Sequence, residues 1–215
     1  MAIGAVIQAV VLSGALRVVI LLDVTPLSLG VETFGGLMNV IIPRNTTIPV
    51  KRGELFTNAV ANQQRMSINV LQGEREMAKD NWRLGEFEIE FDPSSRGEAR
   101  VGVEFSLDAD GILTVLARDT ITGNEKVISI NSSAVDVEDE RVEKMVNESI
   151  EFAFDDMNQR IFAEAKLKSD ELVPAVTNGL ELVGNELSPE SLKDINLKLE
   201  AVLKALEKDC PRTLK

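Results

Sequence analysis

Few residues in this 215-residue chain have the chemistry that catalysis or metal binding requires. The sequence holds no histidine and a single cysteine, Cys210. Histidine-based triads, structural zinc held by several thiolates and an internal disulfide are therefore excluded. We also find no glycine-rich phosphate loop and no nucleophile beside an activating base. The residue types predict a binding protein, and we expect this chain not to be an enzyme.

A calcium loop is the one metal site that the sequence imitates. Asp108, Asp110 and Gly111 follow the spacing at the start of such a loop, but no further acids follow at ligand spacing. An Asp-Gly pair between two apolar runs is also a common hairpin turn. We therefore predict a tight turn here, with no metal and no cofactor bound by this chain.

The overall charge narrows the range of partners. The chain has 35 acidic and 23 basic residues, a net charge of −12, so it would repel phosphate backbones. We expect no nucleic-acid ligand. The sparing use of cysteine fits a reducing compartment, which is the cytoplasm or an organelle matrix.

The chain is organised around an apolar run that ends in an acid, Val18–Asp23, and the segment that follows it. The run is shorter than the roughly 20 residues that cross a bilayer, so we expect a protein partner and not a membrane. Apolar and polar residues then alternate from Leu27 to Phe34, as in a strand with one buried face. The pattern alone leaves open whether Val18–Asp23 is an interior strand or a docking linker.

The middle of the chain has the pattern of an antiparallel sandwich or barrel. Short alternating runs are separated by Gly, Pro, Asn and Asp about every 8 to 12 residues. Asp110-Gly111 and Thr122-Gly123-Asn124 mark two hairpins. The predicted strands are Leu27–Thr33, Leu37–Ile42, Leu55–Val60, Met66–Gln72, Phe87–Phe91, Val101–Leu107, Ile112–Arg118 and Glu125–Ile130.

From Asp136 onward the period changes to that of helices. Apolar residues recur at three- and four-residue steps after Asp136, a candidate N-cap. We predict a helix to about Val173, a kink or break at Pro174 because proline lacks the amide hydrogen, and another helix over 175–183. Ser188-Pro189 predicts the start of a last helix that ends near Lys208. The predicted architecture is a β-sandwich followed by a helical lid.

Several strings resemble the seventy-kilodalton heat-shock (DnaK-type) chaperone family. They are Leu21-Leu22-Asp23-Val24-Thr25-Pro26-Leu27-Ser28-Leu29-Gly30, Gly35-Gly36, Pro43-Arg44-Asn45-Thr46-Thr47-Ile48-Pro49 and Val70-Leu71-Gln72-Gly73-Glu74-Arg75-Glu76. The resemblance runs from about Met1 to Asp170 and weakens beyond it. It implies a domain that binds unfolded, hydrophobic peptide segments.

The resemblance also implies a domain organisation. Residues 1–17 would be a remnant of the last ATPase-domain helix, 18–26 the interdomain linker, 27–134 the peptide-binding sandwich and 135–215 the lid. The linker contacts would be Val19, Ile20, Leu21, Leu22 and Asp23. ATP, Mg²⁺, a J-domain co-chaperone and a nucleotide-exchange factor would then belong to the full-length protein.

The family pattern places a peptide groove on particular residues of this chain. The implied pocket residues are Val31, Phe56, Met66, Ile68 and Val101. Phe34 and Ala59 would arch over the peptide, and Thr33, Thr57 and Gln63 would offer polar contacts to its backbone. Without the resemblance, the pattern of these apolar residues favours an ordinary sandwich core. Met66 is longer than the usual residue at its position, so we predict a preference for Leu or Ile over Phe or Trp.

The resemblance also implies a latch between the sandwich and the lid. Arg96 and Asp170 match the family's pair, although spacing alone leaves both as solvated surface charges. An exposed pair contributes only about 0 to 1 kcal/mol. Even so, a small stabilisation of the closed lid is enough to slow peptide release, because about 1.4 kcal/mol changes a rate tenfold.

Two alternatives remain open on the sequence. The linker, terminal helix or lid of one copy could fill the groove of another, which would give a homo-oligomer without a client. Met66 and the run Thr47–Val50 are similar to the specialised iron-sulfur-assembly branch of the family, whereas Ala59 and Arg96 fit the general branch better.

Overall fold

The computed structural model describes residues 23–130, 137–184 and 187–207. Within these ranges the chain forms two four-stranded antiparallel sheets followed by helices, which confirms the predicted β-sandwich and helical lid. The predicted N-terminal helix, most of the linker (Val19, Ile20, Leu21 and Leu22) and the cap residue Asp136 lie outside the described residues. No helix in the described ranges is long and apolar enough to span a membrane.

Eight strands build the two sheets. They are β1 (Leu29–Thr33), β2 (Leu37–Ile42), β3 (Val50–Phe56), β4 (Arg65–Gln72), β5 (Trp82–Glu90), β6 (Val101–Leu107), β7 (Leu113–Asp119) and β8 (Glu125–Ile130). The first sheet has the order β2-β1-β4-β5 and the second has the order β3-β6-β7-β8.

The core lies between the sheets and follows directly from the alternation of residues. Along β6 every second side chain is buried, from Val101 through Phe105 to Leu107, and β7 repeats the pattern from Leu113. These side chains pack against buried residues of β1 and β4, including Val70. Alternate residues of a strand point to opposite faces, so one apolar face per sheet is enough to close the sandwich.

The prediction for the third strand is wrong. Alternation predicted Leu55–Val60, but β3 spans Val50–Phe56 and pairs with β6 along its whole length, from Val50 opposite Leu107 to Phe56 opposite Val101. It is an edge strand, and the five residues between its ends are exposed. Backbone pairing with β6 defines this strand, and such pairing leaves no periodic mark in the side chains.

The predicted hairpin turns are confirmed. Between β6 and β7 the Asp108 carboxylate accepts hydrogen bonds from the amides of Asp110 and Ile112, at 3.0 and 2.8 Å. This is the geometry of an Asx turn. No cluster of three metal-ligating side chains occurs in the part of the chain that the structure describes.

In the described part of the chain after the sandwich there are three α-helices: α1 (Asp139–Glu151), α2 (Ala153–Val183) and α3 (Pro189–Glu207). A single 3₁₀ turn, Ala78–Asp80, lies between β4 and β5. The predicted last helix is confirmed. The sequence predicted a kink or break at Pro174, and the chain does not break there, because α2 runs through it. A proline removes one helical hydrogen bond and does not by itself end a helix that is held elsewhere. The interruption lies at Phe152, between α1 and α2.

Candidate functional site

A groove of about 340 Å³ opens at one end of the sandwich. It lies beside the β1–β2 turn and the segment of residues 57–64 that joins β3 to β4. Nine of the ten predicted groove residues line it: Val31, Thr33, Phe34, Phe56, Thr57, Ala59, Gln63, Met66 and Ile68. Glu32, Gly35, Gly36, Ser67 and Asn69 complete the lining.

The apolar lining divides into a floor and two walls. Val31 and Ile68 are almost fully buried and belong to the sandwich core, so the floor is continuous with the core. Phe56 and Met66 are half-buried and pack against the same core from the groove side. The floor of the groove is therefore part of the packed core.

Phe34 dominates the rim. Its side chain is 60% exposed, an unusual state for an aromatic ring beside an apolar groove. Ala59, on the segment of residues 57–64, also lines the groove and is half-buried. A large exposed ring at the rim can close over a bound chain, since covering it removes apolar surface from water.

The polar groove residues differ in what they can offer to a ligand. The carboxamide oxygen of Gln63 accepts hydrogen bonds from the amides of Ala59 and Val60, at 3.0 and 3.4 Å, and its Nε2 donates to the Arg65 carbonyl at 2.7 Å. Gln63 therefore braces its own loop. Thr33 donates its hydroxyl proton to the Leu37 carbonyl at 3.2 Å, across the β1–β2 turn.

Val101 is the predicted pocket residue that does not line the groove. It is fully buried at the start of β6, opposite Phe56, and belongs to the sandwich core. Burial on a strand facing the core and burial at a groove give the same sequence pattern, so the residue type could not separate the two.

Helix α2 lies over this end of the sandwich and contacts it along one face. The contacting residues are Asp156, Arg160, Leu167 and Glu171. Their spacings of four, seven and four residues bring them to one side of an α-helix. The lid is therefore held by a stripe of contacts from its N-terminal end to its middle.

The strongest lid contact is an ion pair that the sequence did not reveal. Asp156 accepts two hydrogen bonds from Arg75, at 2.6 Å from Nε and 2.8 Å from Nη2, and only 3% of its side chain is exposed. The Arg75 guanidinium also lies 4.6 Å from the centre of the Phe152 ring. These hydrogen bonds lower the pKa of the Asp156 carboxyl, although burial opposes the shift, and they raise the pKa of Arg75. Bidentate geometry of this kind is both strong and directional.

A second ion pair lies one helical turn further along α2. Arg160 Nη1 donates to Glu76 at 2.6 Å, and Arg160 Nε donates to Glu164 at 3.0 Å. The hydrogen bond to Glu76 raises the pKa of Arg160. Both partners of the Arg160–Glu76 pair are about half exposed, so it is worth much less than the buried pair.

The lid meets the groove rim at Gly35. A Cβ built on Gly35 would lie 3.1 Å from Leu167 Cδ1, and the backbone has φ +92°. A glycine fits here for both reasons, since other residues rarely adopt that φ and would crowd the lid. A second cavity of about 400 Å³ lies between the helix and the rim, and Phe34, Phe162 and Asp170 are among its lining residues.

The predicted latch needs a correction. Arg96 lies 3.5 Å from Glu171, between Nη2 and Oε2, instead of pairing with Asp170. Successive residues on a helix point about 100° apart, and the rotation of α2 turns Glu171 toward the Arg96 loop while Asp170 faces the second cavity. Both side chains of the observed pair are at least half exposed.

Asp23, the last of the predicted linker contacts, is within the described part of the chain. Its carbonyl accepts a hydrogen bond from the Ile48 amide at 2.9 Å, and Val24 forms an isolated bridge with Thr47. The chain thus enters the sandwich alongside the segment that leads into β3.

Comparison with known proteins adds to this geometry. The family model described as Hsp70 protein matches residues 1–214. A chaperone protein DnaK of Guillardia theta is 42% identical over an alignment of 230 positions, and the alignment covers 96% of this chain. The chain spans 36% of the length of that relative.

Proposed function

The chain belongs to the Hsp70 family, and on that premise we propose that its groove holds extended apolar segments of unfolded polypeptides. The observation that carries the proposal is a groove with an apolar floor at Val31 and Ile68, an exposed ring at Phe34 and a helix above. A polar, solvent-filled cleft with catalytic side chains would favour an enzymatic function. This groove favours the capture of an aliphatic side chain together with a stretch of backbone.

The energetics support loose and promiscuous binding. Burying one Leu side chain contributes about 1.5–3 kcal/mol, and each backbone hydrogen bond adds roughly 1 kcal/mol. Ordering the peptide offsets much of this gain. The net affinity is about micromolar at best, which corresponds to roughly 8 kcal/mol. Such a groove releases its ligand quickly unless something covers it.

The lid supplies that cover. Its N-terminal half is tied to the sandwich by the buried Arg75–Asp156 pair, whereas the contact near the far side of the groove, Arg96–Glu171, is solvent-exposed. We therefore propose that the lid opens from the Glu171 side and stays attached at Asp156. Opening then breaks the weak contact first, as local opening generally does.

Nucleotide chemistry is proposed to lie outside this chain. This chain spans 36% of the length of its DnaK relative, so the rest of such a protein has room for a region that binds ATP and Mg²⁺. A J-domain co-chaperone and a nucleotide-exchange factor would act through that region. On this proposal the isolated chain binds peptide without ATP and does not hydrolyse it.

The direct test is fluorescence anisotropy with a labelled, leucine-centred heptapeptide. Met66→Trp places a bulky aromatic ring on the groove wall and should weaken binding at least about tenfold, a loss of 1.4 kcal/mol or more. Gln64→Trp is the matched control, because Gln64 lies two residues before Met66, is exposed and does not line the groove. Equal binding by wild type and Met66→Trp would contradict the proposal.

The same preparations separate client capture from self-association. Size-exclusion chromatography with and without the peptide should show one species whose mass changes only by the peptide. Oligomers that dissociate when peptide is added would indicate that a segment of a second copy occupies the groove.

A further inference from the structure

A buried asparagine lies at the junction of two loops beside the groove. Asn58 is 1% exposed, although it belongs to the groove loop, residues 57–64. Its Nδ2 donates to the carbonyls of Val60 and Ser95, both at 2.9 Å, and its Oδ1 accepts from the Ala99 amide at 3.1 Å. Ser95 and Ala99 belong to the latch loop, residues 91–100. One side chain thus holds the backbone of both loops.

Backbone hydrogen bonds join the same two loops. The Asn62 amide donates to the Ser94 carbonyl at 2.9 Å, and the Gly97 amide donates to the carbonyl of Asn58 at 3.2 Å. The Asn58 Nδ2 also approaches the Ser94 carbonyl at 3.4 Å. Because these bonds surround Asn58 on both sides, the two loops form one unit with its side chain in the middle.

The two ends of this unit face different parts of the molecule. The groove loop carries Ala59 on the groove rim and Gln63 in its lining. The latch loop carries Arg96, which contacts Glu171 of the lid. A displacement of the latch loop would therefore also move the groove rim at Ala59, through the hydrogen bonds that Asn58 makes.

We propose that Asn58 is a positioning residue that couples the lid contact Arg96–Glu171 to the rim of the groove at Ala59. The inference rests on the proposed function, and it adds the means by which lid closure tightens that same groove. An amide is suited to this position because it donates and accepts at once. Alanine would leave buried carbonyls without a partner, and a carboxylate would face the Ser95 carbonyl with like partial charge.

A double-mutant cycle on the rate of peptide release tests the coupling. The four proteins are wild type, Glu171→Gln, Asn58→Ala and the double variant, and the readout is the loss of anisotropy after excess unlabelled peptide is added. With Asn58 present, Glu171→Gln should speed release roughly two- to five-fold, the range of an exposed pair. With Asn58→Ala, release is already faster and Glu171→Gln should change it no further. An equal fold-change in both backgrounds would overturn the proposal.

Amide hydrogen exchange gives a readout that needs no peptide. The Asn62 amide is bonded to Ser94 and not to Asn58, so faster exchange there in Asn58→Ala reports that the loops have separated. Gln64→Ala, an exposed residue of the groove loop, is the control and should leave this exchange unchanged. Unchanged exchange at Asn62 in Asn58→Ala would also overturn the coupling. If Asn58→Ala does not fold, Asn58→Ser replaces it, because a hydroxyl keeps part of the bonding.

The two proposals fail in different ways. If wild type binds no apolar peptide, the proposed function fails, and the exchange at Asn62 alone decides whether Asn58 joins the loops. If wild type binds peptide but the cycle is additive, the function stands and the coupling fails.

Discussion

Arg75 and Asp156 are 81 residues apart in sequence and are joined by two hydrogen bonds between the sandwich and the lid. Both side chains are largely withdrawn from solvent. Because two hydrogen bonds are directional, a bidentate pair in such a place fixes the orientation of α2 as well as its distance from the sandwich. It makes the N-terminal end of α2 the anchored end of the lid.

Removing the acid of this pair should detach the lid. Asp156→Asn removes the charged partner that binds Arg75 through two hydrogen bonds and leaves it only the more distant Asp80, at 4.0 Å. Breaking a buried pair costs up to roughly 3–5 kcal/mol unless the lid separates. We expect separation, seen as faster amide exchange along α1 and α2 with the sandwich unchanged. The control is Asp155→Asn at the neighbouring exposed acid. A lid as protected in Asp156→Asn as in wild type would contradict the anchoring role.

Lid docking should be lost in acid but not near neutral pH. Hydrogen bonds from Arg75 lower the pKa of the Asp156 carboxyl below its unfolded value of about 3.9. A lowered pKa means that this stabilisation is full above about pH 4 and is lost as the pH falls through the folded pKa. The chain has no histidine, the side chain that ordinarily titrates near neutrality.

Trp82 can follow this transition, because Arg141 of α1 lies 5.6 Å from its ring centre and the chain has no other tryptophan. Its emission should be constant between pH 5 and 8 and should change below pH 4. In Asp156→Asn this acid step should be missing. A lid that undocks between pH 5 and 7 would show that another group controls it.

The lid contact at the rim should depend on Gly35. Gly35→Ala adds a methyl group 3.1 Å from Leu167 Cδ1, at a residue with φ +92°. We expect release of a bound peptide to become about three- to tenfold faster, equivalent to roughly 1 kcal/mol. Gly123→Ala is the matched control, since it has φ +79° and no atom within 4 Å of the added carbon. If both variants behave alike, backbone strain and not the lid contact explains the effect.

The rate of peptide release should depend on Glu171 and not on Asp170. Arg96 contacts Glu171 at 3.5 Å, and Asp170 lines the second cavity. Glu171→Gln should therefore speed peptide release up to about five-fold at low salt, and less at high salt because exposed pairs are screened. Asp170→Asn should have no effect on release. A larger effect of Asp170→Asn would restore the pairing expected from the sequence.

Met66 should limit the size of the side chain that the groove accepts. It is half-buried on the groove wall, where a flexible side chain takes up space without a fixed shape. Leucine- or isoleucine-centred peptides should bind more tightly than phenylalanine- or tryptophan-centred ones. Met66→Val should reduce that difference, as measured by anisotropy across the four peptides. Tighter capture of tryptophan-centred peptides by wild type would contradict the prediction.

Much of the architecture could be predicted because the strands and helices carry their burial in their periodicity. β6 and β7 alternate strictly, and the sequence predicted β6 with its observed bounds. β3 could not be placed in the same way, since an exposed edge strand pairs through its backbone and leaves no alternation. The continuous helix through Pro174 was also missed, because a proline removes one helical hydrogen bond without necessarily ending the helix.

The sequence by itself determined the two layers and the helices after them, because residue type and spacing decide which faces avoid water. The groove residues came from the family resemblance, since spacing alone does not distinguish them from an ordinary core. Only the tertiary structure decided which charges meet. Arg75 with Asp156, Arg96 with Glu171, and Asn58 between two loops depend on how α2 is rotated and how distant loops pack. Rotating a helix by one residue, about 100°, exchanges Asp170 for Glu171 without changing any local pattern.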